Sequence, residues 1–306
     1  MRICAVVVNF RGCEDTARCV ASLLREDAIS RVVIVENGSG QACCVDLMEG
    51  LQKRDDRVQG ILLADNIGYA GGSNVGIRAA LEAGFEGIVM TSNDVVFRLG
   101  TVAHLAQVAL ANPSIGMISP VVYRADAPNE VYFAGARLNR WTGRAPFVKR
   151  IPQGLSIVRV SALLTCAALV RREVYETVGL NDEQFFFQYD DIDLSTRCLE
   201  SGWDLAVDLG AGVNDRIGGT MAAASPERTY YATRNRAHFI RKHIRGLHAA
   251  VAYGVLAATC LTNLLLWTTR RDLSRIMASL LGLRDFLSGS MGRRGEPGRW
   301  EWRQVL

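Results

Sequence analysis

The segment 66–74 reads Asn66-Ile67-Gly68-Tyr69-Ala70-Gly71-Gly72-Ser73-Asn74. It follows the third of four short apolar runs in this chain. The runs span residues 2–8, 31–36, 58–63 and 87–91. Segments of helical periodicity alternate with them, at about 14–26, 41–53, 73–83 and 100–111. This alternation is typical of an α/β fold, so we predict a mostly parallel sheet covered by helices on both faces.

Polar residues follow each apolar run, at the edge where a sheet of this kind binds its ligands. They are Asn9-Phe10-Arg11, Glu36-Asn37-Gly38-Ser39-Gly40, the segment 66–74, and Ser92-Asn93-Asp94. Glycine permits close backbone approach, so amide groups in these loops can face an anion such as a diphosphate. Each loop alone could be an ordinary turn, because turns also favour Gly, Asn and Ser. Four polar loops at one sheet edge favour a nucleotide site.

Two common nucleotide-binding motifs are missing from the sequence. Asn9-Phe10-Arg11-Gly12 stands where a dinucleotide-binding fold has GxGxxG, which argues against hydride transfer from a nicotinamide. The sequence has no GxxxxGK loop followed by Ser or Thr, which argues against an NTPase.

Three carboxylates follow an aromatic block at Phe185-Phe186-Phe187-Gln188-Tyr189-Asp190-Asp191-Ile192-Asp193. Aromatic side chains favour burial whereas ionised carboxylates resist it, so acids at this boundary are candidates for a general base. The alternative is an ordinary helix N-terminus, where acids suit the helix dipole and Asp193 pairs with Arg197.

The composition indicates a folded cytoplasmic protein. The chain has 306 residues, of which 49% are hydrophobic, and this excludes a disordered protein. Its eight cysteines show no CxxC pair and no metal-ligand spacing, so we expect buried free thiols in a reducing compartment. The first apolar run is too short for a secretory signal.

The carboxyl-terminal part differs in charge from the rest. Residues 226–306 carry 14 Lys and Arg against 5 Asp and Glu, a net charge of +9, whereas residues 1–225 have a net charge of −5. Residues 249–269 carry no formal charge and are long enough to span a bilayer. Because Arg and Lys flank them on both sides, we expect a helix in the head-group region, paired with a helix at about 272–288. Packing on the rest of the chain or in a homo-oligomer is the alternative.

Two further expectations concern this part of the chain. Its basic residues come with no recognition motif, so nucleic acid is not an expected partner. The segment 292–298, which is rich in Gly and Arg, is expected to be poorly ordered.

Several motifs together resemble the family 2 glycosyltransferases with a GT-A fold, particularly bacterial rhamnosyltransferase-like members. The resemblance covers about residues 3–245. Its motifs lie at residues 6–10, 33–39, 66–76, 91–95, 187–197, 215–220 and 230–236. Three positions depart from the family pattern: Glu36 stands where Asp is usual, Ser92 replaces an Asn or Asp, and Asp215 replaces a His.

The resemblance implies a role for residues in each motif. Asp191 would be the catalytic base, and the neighbouring charge of Asp190 would raise its pKa. Asp94 and Asp215 would bind a divalent cation, Mg²⁺ or Mn²⁺. The implied nucleotide-binding residues are Asn9, Glu36, Asn37, Asn66, Gly68, Gly72, Asn74, Asn93 and Arg234. For Arg234, a structural ion pair is the alternative.

The activity implied is inverting transfer of a sugar, such as rhamnose, from a UDP- or dTDP-sugar. The acceptor would be a hydroxyl of a polysaccharide or a lipid-linked glycan, and the enzyme would be peripheral to the inner face of the cell membrane. The parts implied are a catalytic domain (1–245), a helical appendage (246–291) and a tail (292–306). The alternatives are a degenerate nucleotide-sugar-binding or scaffold protein, and a sugar-nucleotide pyrophosphorylase, whose glycine-rich signature is missing near the first strand.

Overall fold

The structure is a computed structural model that describes residues 1–216 and 225–295. Its first part contains β1 (Ile3–Asn9), α1 (Cys13–Leu24), β2 (Ile29–Asn37), α2 (Ala42–Arg54), β3 (Val58–Leu63), α3 (Gly68–Glu82), β4 (Gly87–Ser92), β5 (Val95–Phe97) and α4 (Thr101–Ala111). Each apolar run and each helical segment in the sequence forms the kind of element predicted for it.

The rest of the described chain adds a second set of strands and five helices. They are β6 (Ile115–Arg124), β7 (Val131–Phe133), β8 (Ile157–Arg159), β9 (Ala167–Arg171), α5 (Arg172–Val178), α6 (Asp190–Glu200), β10 (Asp204–Asp215), α7 (Pro226–His243), α8 (Gly246–Thr269) and α9 (Leu273–Ser288).

The described strands form one sheet in the order β3-β2-β1-β4-β9-β6-β10-β5, with β7 beside β6 and β8 beside β10. Strands β3, β2, β1 and β4 are parallel neighbours, as the alternation of strands and helices predicts. Strand β9 lies antiparallel between β4 and β6, while β10 runs parallel to β6. The α/β fold class is therefore confirmed, and the antiparallel strands are confined to the part of the chain after residue 92.

Helix α3 begins at Gly68, before the predicted start at residue 73, so most of the glycine-rich segment is helical. Gly68 has a φ of +84°, and a Cβ there would lie 2.5 Å from the carbonyl oxygen of Phe186. A Cβ at Gly72 would lie 3.0 Å from Cγ1 of Val8. These glycines therefore let α3 pack closely on β1 and on the chain ahead of α6.

A disulfide bond joins Cys13 and Cys43, in the first turns of α1 and α2. The prediction that all the cysteines are free thiols is wrong for these two residues. They are 30 residues apart in sequence, and the parallel pairing of β1 with β2 brings together the helices that follow these strands. Free thiols remain at Cys4, Cys19, Cys44, Cys166, Cys198 and Cys260.

The last three helices pack against one another, and α8 and α9 form the predicted hairpin. Its turn ends at Asp272, whose side chain accepts the amide N–H of Arg275 at 3.2 Å and so caps α9. Gly282 of α9 faces α7 closely, because a Cβ there would lie 2.8 Å from the carbonyl oxygen of Tyr230. The proposed division of the chain at residues 245 and 291 stays a prediction.

Residues 292–295 are held against the preceding helices, so the prediction of poor order is wrong for them. The amide N–H of Gly292 donates to the carbonyl oxygen of Gln184 at 3.1 Å. The amide N–H of Arg294 donates to the hydroxyl of Tyr231 at 3.1 Å, and its guanidinium pairs with Asp285. The remainder of that tail, residues 296–306, lies outside the described residues.

Candidate active site

A cavity of about 990 Å³ opens at the carboxyl ends of β1, β2 and β4. It is lined there by residues at or just after the ends of these strands, including Phe10, Asn37 and Asp94. The opposite wall comes from the turn at 139–147, the start of α6 and the start of α7. The cavity therefore lies where the polar loops of the sequence predicted a ligand site.

Eight of the residues predicted from sequence line this cavity: Asn37, Asn66, Gly68, Asn93, Asp94, Asp190, Asp191 and Asp215. They come from five separate motifs, which the fold brings together around one space. Five other predicted residues are not among the described lining residues: Asn9, Glu36, Gly72, Asn74 and Arg234.

The chain adopts a strained conformation just before the acid pair Asp190 and Asp191. Gln188 and Tyr189 have φ values of 67° and 71°, which residues other than glycine rarely adopt. The side-chain amide of Asn235 on α7 donates to the carbonyl oxygens of Phe187 at 2.8 Å and Gln188 at 3.0 Å. Helix α7 therefore holds the turn that presents the acid pair to the cavity.

Both members of the acid pair hold protons more tightly than ordinary aspartates. Burial raises the pKa of Asp191 to about 6. The amide N–H of Ile192 donates to the Asp191 carboxylate, which favours the ionised form, but burial outweighs this effect. Burial and the neighbouring charge of Asp191 raise the pKa of Asp190 well above its ordinary value. A carboxyl with a pKa near 6 is largely ionised at neutral pH and remains basic enough to accept a proton.

Asp94 and Asp215 form a second acidic group on the cavity wall. Burial and the charge of Asp94 raise the pKa of Asp215 to about 7. Burial also raises the pKa of Asp94. The hydroxyl of Ser92 donates to the Asp94 carboxylate at 2.7 Å and lowers its pKa, but burial outweighs this hydrogen bond. Neighbouring buried carboxylates that resist ionisation suit a hard divalent cation, which would neutralise both of them. Residues 217–220, the rest of the motif that begins at Asp215, lie outside the described residues.

Comparison with known proteins identifies the family of this chain. The sequence model of the family described as "Glycosyltransferase like family 2" matches residues 2–237. The chain belongs to this family. It is 25% identical over 299 residues to the dTDP-rhamnosyl transferase RfbF of Shigella flexneri, covering 94% of this chain and 97% of the relative. It is 24% identical over 252 residues to the galactofuranosyltransferase GlfT1 of Mycobacterium tuberculosis, covering 77% of this chain and 81% of the relative.

Solved structures with the same fold are GT-A glycosyltransferases. GalNAc-T7 with UDP, GalNAc and Mn²⁺ superposes with a TM-score of 0.61 at 13% identity, covering 79% of this chain and 54% of that chain. The mannosyltransferase PcManGT from Pyrobaculum calidifontis, in complex with GDP-Man and Mn²⁺, superposes with a TM-score of 0.58 at 14% identity, covering 94% and 87%. The predicted family, GT-A fold and glycosyltransferase activity are confirmed, and the family match disfavours a pyrophosphorylase.

In this glycosyltransferase, Asn9 and Glu36 form a buried hydrogen-bond network behind the cavity. The side-chain amide of Asn9 donates to Glu36, which also accepts the amide N–H of Ser39 at 2.7 Å. The side chain of Asn93 donates to Asn9 at 2.8 Å and to the carbonyl oxygen of Arg11 at 3.0 Å. The network joins the loops after β1, β2 and β4, and the role of Glu36 in binding a nucleotide stays a prediction.

Asn74 and Arg234 of the glycosyltransferase are engaged elsewhere in the fold. Asn74 exchanges hydrogen bonds with Asn181, at 2.9 and 3.0 Å. The buried guanidinium of Arg234 donates to the carbonyl oxygen of Gly292 at 2.8 Å and to Asn235 at 3.0 Å. Arg234 therefore fixes residue 292 onto α7, and it is not among the described residues that line the cavity.

Three arginines that the sequence analysis did not select line the cavity instead: Arg11, Arg144 and Arg228. Arg228 lies in the first turn of α7, where its amide N–H donates to the capping hydroxyl of Ser225 at 3.2 Å. The Ser225-Pro226 pair is a sequence signal for a helix start, and an arginine beside it suits an anion. Arg144 carries no such signal, because only the folding of the turn at 139–144 brings it to the cavity.

Proposed function

We propose that this glycosyltransferase moves a sugar, such as rhamnose, from a UDP- or dTDP-sugar to an acceptor hydroxyl with inversion at the anomeric carbon. The observation that carries the proposal is the acid pair on one wall of a cavity whose other wall carries Asp94 and Asp215. The name of the relative RfbF, a dTDP-rhamnosyl transferase, supports a pyrimidine-linked donor. The acceptor we propose is a polysaccharide or a lipid-linked glycan.

Asp191 acts as the base in this proposal. The acceptor oxygen attacks the anomeric carbon, the bond from that carbon to the diphosphate oxygen breaks, and the hydroxyl proton passes to the Asp191 carboxylate. A single displacement of this kind inverts the anomeric configuration. Burial and the charge of Asp191 favour the protonated form of Asp190, because two buried neighbouring carboxylates resist ionising together.

Asp94 and Asp215 are the residues proposed to hold a divalent cation, Mg²⁺ or Mn²⁺. When bound, such an ion supplies positive charge to the leaving diphosphate. The neighbours solved with Mn²⁺ support this assignment. Arg11, Arg144 and Arg228 supply further positive charge on the cavity wall, and Asn37, Asn66, Gly68 and Asn93 line the proposed nucleotide site.

Turnover of donors tests the proposed reaction. Purified enzyme should release dTDP or UDP from a panel that includes dTDP-rhamnose and UDP-galactofuranose, and a membrane extract offered as acceptor should raise the rate. Release of GDP from GDP-mannose at the same rate, or no release from any pyrimidine donor, would contradict the proposal. The anomeric configuration of the product, read by NMR, tests inversion.

Asp215→Asn is expected to stabilise the ligand-free protein by about 2–4 kcal/mol at pH 8, since one pKa unit corresponds to about 1.4 kcal/mol. The folded state holds the proton of Asp215 more tightly than the unfolded state. The contribution of Asp215 to the free energy of unfolding of the wild type is therefore largest below about pH 4. It is lost as the pH rises to about 7. The gain should therefore vanish at pH 4, as measured by urea unfolding at both pH values.

The same variant should lose the stabilisation that Mn²⁺ and UDP together confer on the wild type. Asp126→Asn, at an exposed carboxylate paired with Arg124, is the matched control and should leave both properties unchanged. An Asp215→Asn protein that is stabilised by Mn²⁺ and UDP as strongly as the wild type would refute the cation site.

We also propose that α8 and α9 attach the cytoplasmic enzyme to the inner face of the cell membrane. Helix α8 is long and apolar enough to cross a membrane, and only 17% of its most apolar window is buried within the fold. Leu261 and Leu265 lie one helical turn apart with exposures of 62% and 72%. Arg270 and Arg271 at the end of the helix suit anionic head groups. Near its start, His248 lies 4.0 Å from Trp141 (ring centroids), which places α8 beside the turn at 139–144.

Leu261→Glu combined with Leu265→Glu should lower the affinity for vesicles of anionic phospholipid by more than about tenfold. Each Leu buried in an apolar environment contributes about 1.5–3 kcal/mol. Co-sedimentation measures the bound fraction. Leu110→Glu, at an exposed leucine of α4, is the control and should bind as the wild type does. Equal binding of all three proteins would rule out α8 as the attachment surface.

A further inference from the structure

Three cysteine sulfurs meet at the first turns of α1 and α2, outside the proposed reaction site. Cys13, Cys43 and Cys44 offer ligand atoms that all lie within 4.8 Å of one another. Cys13 forms the disulfide bond with Cys43, and its sulfur lies 3.0 Å from that of Cys44. The grouping arises from the fold, since β1 and β2 are parallel neighbours and their following helices start side by side.

The chemistry of these groups matches a thiophilic cation. Thiolates bind Zn²⁺ with bonds of about 2.3 Å, so sulfurs on one tetrahedral ion lie roughly 3.8 Å apart. Three sulfurs within 4.8 Å of one another can reach this spacing once the Cys13–Cys43 bond is open. The side-chain oxygen of Gln41 lies 3.6 Å from the sulfur of Cys44 and 4.0 Å from that of Cys13, and is placed to complete a tetrahedral set. Cys43 is exposed while Cys44 is buried, so an ion can enter from solvent and be held against the protein.

The two helix N-termini favour negative charge at this position. Cys13 is the first residue of α1, and Cys43 and Cys44 lie in the first turn of α2. Within the described residues, neither helix has a side-chain cap at its N-terminus. The partial positive charge of both ends therefore offsets part of the negative charge that three metal-bound sulfur ligands bring to this position.

We propose that Cys13, Cys43 and Cys44, once reduced, bind one thiophilic divalent cation such as Zn²⁺. Opening the site takes two electrons and two protons from a dithiol reductant: the Cys13–Cys43 bond breaks, two thiols form, and the reductant leaves as its own disulfide. Each of the three thiols then gives up its proton to solvent as its sulfur binds the ion.

This site is separate from the Asp94 and Asp215 group but connected to the nucleotide cavity. Gly12, next to Cys13, lines the cavity. The amide N–H of Gln41 donates to the hydroxyl of Ser39 at 3.3 Å, and the amide N–H of Ser39 donates to Glu36. Sulfur ligands distinguish the two sites chemically, since the carboxylate group prefers Mg²⁺ or Mn²⁺.

Titration with Co²⁺ as the probe tests the proposal. The full chain is reduced with a dithiol, desalted without oxygen, and titrated while the sulfur-to-cobalt charge-transfer absorption is recorded. We expect this absorption to saturate at one equivalent and to be displaced by Zn²⁺. Cys13→Ser and Cys44→Ser should each lower the affinity for Co²⁺ by at least about tenfold. Loss of a group that only supports a metal ligand already lowers metal affinity by about 10–100-fold, and loss of the ligand itself should cost at least as much.

Control variants make the result decisive. Cys166→Ser should keep the absorption, which separates the new site from the cavity that Cys166 lines. Cys260→Ser, on α8, should keep it too. Absence of the absorption in the reduced wild type, or its persistence in Cys13→Ser, would overturn the proposal. Binding of UDP is measured separately on the disulfide-bonded protein, so failure of this proposal and failure of the proposed transfer activity are distinguishable.

Discussion

Asp191→Asn is expected to lower the rate of glycosyl transfer by about 10²–10⁴-fold, the usual contribution of a general base. The amide keeps the size of the side chain but cannot accept the proton of the acceptor hydroxyl at neutral pH. The affinity for the nucleoside diphosphate should change little, because Asp191 is proposed to act on the acceptor. Steady-state kinetics and calorimetry on the same preparation measure both quantities.

The pH dependence of the wild-type enzyme provides a second test of the same role. Because burial holds the pKa of Asp191 at about 6, the rate should fall as the pH drops through about 6 and the carboxylate becomes protonated. Asp56→Asn, at an exposed acid ahead of β3, is the matched control and should show the wild-type profile. An Asp191→Asn enzyme with undiminished transfer would show that another group takes the proton.

Asp193→Ala is expected to destabilise the protein by about 3–5 kcal/mol, because it removes the fully buried carboxylate that balances the charge of the partly buried side chains around it. Asp193 is fully buried and is paired with Arg197 at 2.9 Å, Lys242 at 2.7 Å and His243 at 2.7 Å. These contacts join α6, which carries the acid pair, to the end of α7. Urea unfolding at pH 7 measures the loss.

The charge of Asp193 also predicts the pH range of the effect. Burial alone would raise its pKa, but the hydrogen bond from His243 and the charges of Arg197 and Lys242 outweigh it and lower the pKa to about 2. The contribution of Asp193 to the free energy of unfolding is therefore largest above about pH 4, and it is lost as the pH falls to about 2. Asp182→Ala removes a carboxylate that, within residues 1–216 and 225–295, forms an ion pair with Lys242 alone, and it should cost less. Equal losses in the two variants would contradict a central role for Asp193.

The sequence was sufficient to predict the parallel half of the sheet and the position of the cavity. Both follow from local patterns: apolar runs alternate with helical segments, and polar residues such as Asn37 and Asp94 follow the strands. Parallel strands place all their carboxyl ends at one edge, so residues far apart in sequence must meet there. The acid pair was recognisable because carboxylates directly after an aromatic block are unusual.

Features that depend on contacts between distant segments were not predictable in this way. Arg234 belongs to a motif that resembles a nucleotide-binding segment, yet it is buried and donates to the carbonyl oxygen of Gly292. Arg144 reaches the cavity only through a turn whose position depends on the whole fold. The Cys13–Cys43 bond likewise depends on the pairing of β1 with β2, which cysteine spacing does not encode.

Calorimetric titration of UDP, dTDP and GDP into the purified protein, with and without Mn²⁺, tests most directly whether the cavity is a pyrimidine-nucleotide site. The account predicts one equivalent of UDP or dTDP bound with Mn²⁺ present, much weaker binding without the ion, and weaker binding of GDP. Absence of binding by either pyrimidine nucleotide, or binding that is indifferent to both the base and the ion, would contradict it.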